Sequence, residues 1–232
     1  LADDLGMDSL SIAELVIWLD EEFEVSDVEV SEVRTLADVI LLASGTSKEV
    51  KTEEPPLADQ WVDSNRPLPE LPDGKSIQEH FLRQCDRIGK YSAVADEIAG
   101  VLSGSQLKLR ALLLAKVFRE YENKRLGIML PASVTANVTV MATLLAGKVP
   151  VMLNWTVGRK NLEHARSVAQ LDVIVTSSKF LDKVDNVEFG EVEESFVFLE
   201  QIRDDQINWG NKVIALLQSR KSADALLQRL EL

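Results

Sequence analysis

Between Leu126 and Thr176, short apolar runs alternate with longer segments at helical spacing, and this alternation constrains the fold more than any other feature. Leu126–Leu130, Val149–Leu153 and Val173–Thr176 read as strands, and Ser133–Ala146 and Lys160–Gln170 read as helices. Strand, crossover helix and strand again argue for a parallel sheet covered on both faces. A further strand at Phe196–Leu199 and a helix at about Lys212–Leu227 continue the pattern. The stretch Leu126–Gly147 carries no charge and has the length of a bilayer span. Pro131, Asn137 and three threonines interrupt it, and its first five residues read as a strand. A buried strand followed by a buried helix is the better reading, so no membrane span is expected.

Upstream of this region, Ile77, Phe81, Leu82 and Cys85 form one helical face. Tyr91–Glu97 and Ala99–Leu102 read as two short strands. Ser103 and Gln106 are spaced as a capping box, opening a helix to about Tyr121 with Leu107, Leu109, Leu112, Leu113, Val117 and Phe118 on its buried side. Ser103-Gly104-Ser105 followed by Lys108 lacks the spacing of a nucleotide loop, and helix capping accounts for it. Residues 45–75, with Pro55, Pro56, Pro67, Pro69 and Pro72, read as a semi-rigid tether whose polar composition is interrupted by Trp61.

Charge separates the ends of the chain. The formal net charge is −13, and residues 1–50 account for −11 of it, with thirteen Asp or Glu against Arg34 and Lys48. The rest is nearly neutral, so two units are expected. Neither has a basic stripe, which argues against nucleic acid as a partner. Cys85 is the sole cysteine. An internal disulfide is therefore impossible, and a cytoplasmic chain is expected, compatible with a membrane-associated parent. His80 and His164 are far apart, and no Cys/His cluster has metal-ligand spacing. Glu191-Val192-Glu193-Glu194 reads as a solvated charge run. Asn154-Trp155-Thr156 follows a strand where ligand-facing loops occur, although packing of a half-buried Trp155 is the simpler role.

Within the acidic unit, Ile12, Leu15, Val16, Leu19 and Phe23 fall at helical spacing and predict a helix over residues 9–23. Glu14, Asp20, Glu21 and Glu22 lie off that stripe, giving an acidic exposed surface. Asp8 is able to cap this helix, and Ser11-Ile12-Ala13-Glu14 fits a capping box of its own, so Ser9 is not needed to start it. Ser9 stands where an irregular segment becomes a helix, and a helix N-terminus tolerates a phosphate ester. A turn near Ser31–Arg34 and a helix from Thr35 to Leu42, capped by Thr35, complete the unit.

On these residues the stretch Leu5–Phe23 resembles the acyl carrier protein signature. Asp8-Ser9-Leu10, Glu14-Leu15-Val16 and Asp20-Glu21-Glu22-Phe23 carry the resemblance. It implies 4′-phosphopantetheine on Ser9, framed by Asp8 and Leu10, with an acyl group held as a thioester. It also implies a phosphopantetheinyl transferase as partner, and Glu14, Asp20, Glu21 and Glu22 as the surface that basic partners meet. Relative to that four-helix family, the first helix would precede Leu1, leaving Leu15, Leu19 and Val39 partly open to water.

Residues 76–232 resemble the N-terminal part of the acyl-activating, AMP-forming ligase superfamily. Gly104-Ser105-Gln106-Leu107, Leu126–Ser133, Leu144–Val151 and Leu153-Asn154-Trp155-Thr156 carry this second resemblance. It is similar to bacterial acyl-[acyl-carrier-protein] synthetases, some fused to a 2-acylglycerophospholipid acyltransferase. The implied chemistry is fatty acyl adenylation with ATP and Mg and passage of the acyl group to a phosphopantetheine thiol. The family's phosphate loop, adenine-binding and Mg-binding motifs and late lysine do not occur before Leu232. No residue of 76–232 therefore inherits a catalytic role, and this piece by itself is expected not to adenylate. The expected organisation is a partial carrier domain (1–44), a linker (45–75) and the start of a ligase domain (76–232), an incomplete carrier helix bundle followed by an α/β domain with a mainly parallel sheet. The fatty acyl group, and the ligase or acyltransferase domains of the parent chain, would be its partners. A non-catalytic interaction fragment with a vestigial carrier, or a polyketide or peptide assembly-line piece, are the alternatives.

Overall fold

A computed structural model describes Leu1, Leu5, Met7, residues 9–23, Val25, Val28, Val33 and residues 35–45, 74–184, 187–207 and 209–230. Of the expected turn at Ser31–Arg34 only Val33 is described, and nearly all of the linker, Trp61 included, lies outside the described residues. The chain divides into two compact units. One gathers Leu1–Pro55, Asn154–Val168 and Asn186–Glu193; the other gathers Pro56–Leu153, Ala169–Asp185 and Glu194–Leu232.

In the first unit, α1 (Ser9–Phe23) and α2 (Leu36–Ala43) are joined through a small core of Ile12, Leu19, Val33 and Leu42. Leu19 is fully buried there rather than partly open to water, because Val33 and Leu42 close over it. Phe23 departs from the expected stripe: it is exposed and set edge-on to Trp18, with ring centroids 5.5 Å apart. Thr35 caps α2 as expected, with the Asp38 N–H donating to Thr35 Oγ1 (3.2 Å) and Thr35 N–H donating to Asp38 Oδ2 (2.7 Å). Ser11 does not open a helix. It lies inside α1, which begins two residues earlier, so it is not the residue that caps the helix. The unit also holds α6 (Arg159–Ala169) over most of its length.

The second unit begins at α3 (Ile77–Ile88), capped by Ser76. The chain reverses at Gly89, whose φ of +57° is open to glycine without strain. Strands β1 (Ser92–Asp96) and β2 (Gly100–Ser103) form an antiparallel hairpin. Ser103 then caps α4 (Gly104–Arg119) with the reciprocal bonds expected of Ser103 and Gln106. Along α4, Leu107, Leu112, Val117 and Phe118 are buried as the spacing predicts, Leu109 and Leu113 are half-buried, and Ala111, Leu114 and Ala115 join the core.

The main sheet is built from β3 (Arg125–Ile128), β4 (Val149–Met152), β5 (Ile174–Thr176) and β6 (Phe196–Phe198). Its order is β4-β3-β5-β6 and every pairing is parallel. Helix α5 (Val134–Leu145), capped by Ser133, carries the chain from β3 to β4. This is the strand-plus-helix expected of the uncharged stretch, and no helix among the described residues is long and apolar enough to cross a membrane. Its buried threonines are satisfied internally: Thr139 Oγ1 donates to Thr135 O and Thr143 Oγ1 donates to Thr139 O, each at 2.8 Å. One core runs through α3, α4, α5, Leu126 of β3 and Val175 of β5.

One expected helix is two. Lys212–Leu227 is divided into α7 (Trp209–Ser219) and α8 (Ala223–Leu230). The backbone at the break is held from outside the helix: Lys221 O accepts from Lys108 Nζ (2.7 Å) and Ala223 N–H donates to Asp86 Oδ2 (3.2 Å). Ser222 Oγ accepts from the Ala225 N–H, so a new helix starts there.

Candidate functional site

Ser9 is the first residue of α1, but its side chain, and all of Asp8, lie outside the described residues. Leu10 follows it in the first turn, 67% exposed. Glu14, Asp20, Glu21 and Glu22 are all exposed on the same helix. No carboxylate falls in the first turn of α1, whose free N–H groups suit an anion. Leu10, Ile17, Trp18 and Phe23 add apolar surface to this acidic helix.

In the second unit, the carboxyl ends of β3 and β5 form a topological switch point. The two strands are neighbours, and the chain leaves β3 towards β4 on one side and β5 towards β6 on the other. Crevices of this kind are where open α/β sheets take ligands. Met129–Ser133 follow β3, and Ser177-Ser178 follow β5. Their polar groups are engaged. Thr176 Oγ1 donates to Met129 O (2.8 Å), Ser177 Oγ to Glu200 Oε1 (2.7 Å) and Ser178 N–H to Glu200 Oε2 (3.2 Å). Val134 N–H donates to Asp96 Oδ2 (2.7 Å), and Ala99 N–H donates to Asp96 Oδ1. Burial alone would push the Glu200 carboxyl up. The Ser177 hydroxyl and backbone N–H groups, that of Ser178 among them, outweigh burial and hold it below the usual carboxylate range. Two carboxylates thus brace this edge by accepting from it, a positioning arrangement rather than an acid–base pair.

Other residues singled out in the sequence take structural places. Lys108 is 1% exposed and paired with Asp86, so it is not offered to a phosphate. Lys148 donates from Nζ to Tyr121 O (2.5 Å) and Asn123 O (2.6 Å), tying down the turn before β3; burial lowers its pKa. Asn154 Oδ1 accepts from the N–H (3.0 Å) and hydroxyl (2.8 Å) of Thr156, and Trp155 is half-buried in the turn they close. Cys85 is buried, and burial pushes its thiol up to about 12. Glu191, Glu193 and Glu194 are exposed around a buried Val192. His164 is exposed on α6, and His80 Nδ1 is buried without a hydrogen-bond partner. No three His, Cys, Asp or Glu side chains among the described residues are placed to hold a metal ion.

The sequence reading missed Asp96 and Glu200, which carry no local pattern and work across 38 and 22 residues of chain. Lys108 was detectable. It repeats with Ala111, Leu112 and Ala115 at buried helical spacing, where a charged side chain needs a partner.

No protein-family model matches the chain. Among solved structures it is similar to a benzoate CoA ligase from Burkholderia xenovorans, at 18% identity and a TM-score of 0.41 over 46% of this chain. It is similar to MatB from Rhodopseudomonas palustris at 27% identity and a TM-score of 0.37 over 45%. A four-domain nonribosomal peptide synthetase bound to AMP and glycine is similar at 23% identity and a TM-score of 0.40 over 53%. The chain spans 22%, 22% and 10% of the lengths of these three proteins.

Proposed function

We propose that this chain joins a carrier segment, loaded through 4′-phosphopantetheine on Ser9, to the first lobe of an AMP-forming fatty acyl ligase. The observation that carries the reading is the position of Ser9 at the head of a fifteen-residue helix. Its next residue, Leu10, and its acids Glu14, Asp20, Glu21 and Glu22 are all turned to solvent. A transferase has to reach the serine, and basic partner surfaces have to find the helix; both requirements suit this arrangement. For the ligase half, the support lies in how the quoted residues are used. Leu126–Ser133 and Leu144–Val151 fall in order on strand, loop, helix cap, helix end, turn and strand, within a parallel sheet. ATP and Mg would act only in an intact ligase, and the chain's own residues at the sheet edge brace the scaffold.

Intact-mass spectrometry after incubation with coenzyme A and a broad-specificity phosphopantetheinyl transferase tests the carrier assignment. One phosphopantetheine increment is expected, and it should vanish in Ser9→Ala. An increment that survives Ser9→Ala, or none even in a chain extended upstream, removes the carrier reading. ATP–pyrophosphate exchange on the full parent protein tests adenylation separately.

A further inference from the structure

A groove of about 270 Å³ opens between α4 and the α7–α8 pair. Lys116, Arg119 and Arg229 line it together with Leu112, Ile214 and Leu230, and no carboxylate is among its described lining residues. The cations are held by neutral acceptors. Lys116 Nζ donates to Asn211 Oδ1, and Arg119 Nη2 donates to Leu145 O (2.6 Å). Desolvation, and then the neighbouring charge of Arg229, lower the Arg119 pKa, so the two guanidinium groups repel each other across the groove. In a chain of net charge −13, this concave cluster of three cations with no carboxylate among the described lining residues is a local exception.

We propose that this groove binds a small amphiphilic anion, an oxyanion head on a short alkyl chain, with the head between Arg119 and Arg229 and the chain against Leu112, Ile214 and Leu230. An arginine fork suits a carboxylate or phosphate oxygen pair, and the anion would relieve the repulsion between the two guanidinium groups. The volume lies just below the roughly 300–1,000 Å³ usual for small-molecule clefts, which favours a short chain. This assignment is independent of the carrier and ligase readings.

Isothermal titration of the full chain with sodium octanoate, octyl phosphate and uncharged octyl glucoside tests it. Either anion should bind, the tighter of the two naming the head group, and octyl glucoside should not. Arg229 is exposed on α8, so Arg229→Glu and the milder Arg229→Gln are suitable probes. Arg229→Glu should weaken binding at least tenfold and Arg229→Gln by a smaller factor, while Lys90→Glu, the same charge change elsewhere, should leave it within about twofold. Equal binding of octyl glucoside, equal effects of Arg229→Glu and Lys90→Glu, or no binding of either anion would overturn the proposal. Binding to phosphatidylglycerol vesicles that persists in Arg229→Glu, without binding of the soluble anions, would overturn it in favour of a membrane surface.

Discussion

Lys108 Nζ lies 2.5 Å from Asp86 Oδ1, and the two partners are unequally placed: the lysine side chain is 1% exposed and the aspartate 39%. The pair also anchors the break between α7 and α8 through Lys221 O and the Ala223 N–H. Removing either partner should therefore have unequal effects. Asp86→Ala leaves a buried ammonium with one carbonyl and should cost about 3 kcal/mol. Lys108→Met leaves a carboxylate that water reaches and a well-packed apolar chain, and should cost about 1 kcal/mol or less. Urea unfolding of both variants measures the difference, and equal losses would count against this account.

Gly104 sits in the first turn of α4 against the end of α3. A Cβ there would fall 2.7 Å from Cys85 O and 2.9 Å from Ile88 Cβ. A backbone carbonyl within a helix has no room to yield. Gly104→Ala should destabilise by about 1–3 kcal/mol, despite alanine's better helix propensity. Gly100 is a useful contrast, since its Cβ would meet nothing within 4 Å, and its φ of +67° makes any loss there a matter of backbone strain.

Cys85 reports on opening of the α3–α4 core. With its thiol pushed from 9.0 up to about 12, the thiolate at neutral pH is scarcer by about a thousandfold than in an unfolded chain. Reaction with a thiol reagent at about pH 8 should be at least a hundredfold slower natively than in urea. A fast native reaction would mean that α3 opens locally.

The strand and helix order from β3 to β6 was legible because apolar periodicity is a local signal, as were the caps at Thr35 and Ser103 earlier in the chain. The α7–α8 break was not, since Lys221 and Ala223 are held by Asp86 and Lys108 from more than a hundred residues away. Phe23 repeats with Leu19 on the helical wheel but lies at the end of α1, beyond the reach of Val33 and Leu42, so periodicity overstated the stripe. The sheet edge was half legible. The turn residues Pro131, Ala132 and Ser133 stood out, whereas Asp96 and Glu200, which brace it, come from β1 and the segment after β6.

Glu200 makes the stability of that edge depend on pH. Its folded pKa lies below its ordinary value of 4.5, so the carboxylate's contribution is fully present above that value and is lost as pH falls through the lowered folded one. Glu200→Gln keeps one acceptor for Ser177 but loses the charge. The variant should be less stable than the parent at about pH 7, and the gap should narrow as pH falls through the lowered folded value. Its amide group would also have to turn an N–H away from the Ser178 N–H, so a residual loss at low pH is expected from the lost acceptor alone. Urea midpoints across this range separate the two contributions. A gap that stays constant with pH would mean that Glu200 braces the edge by shape and not by charge.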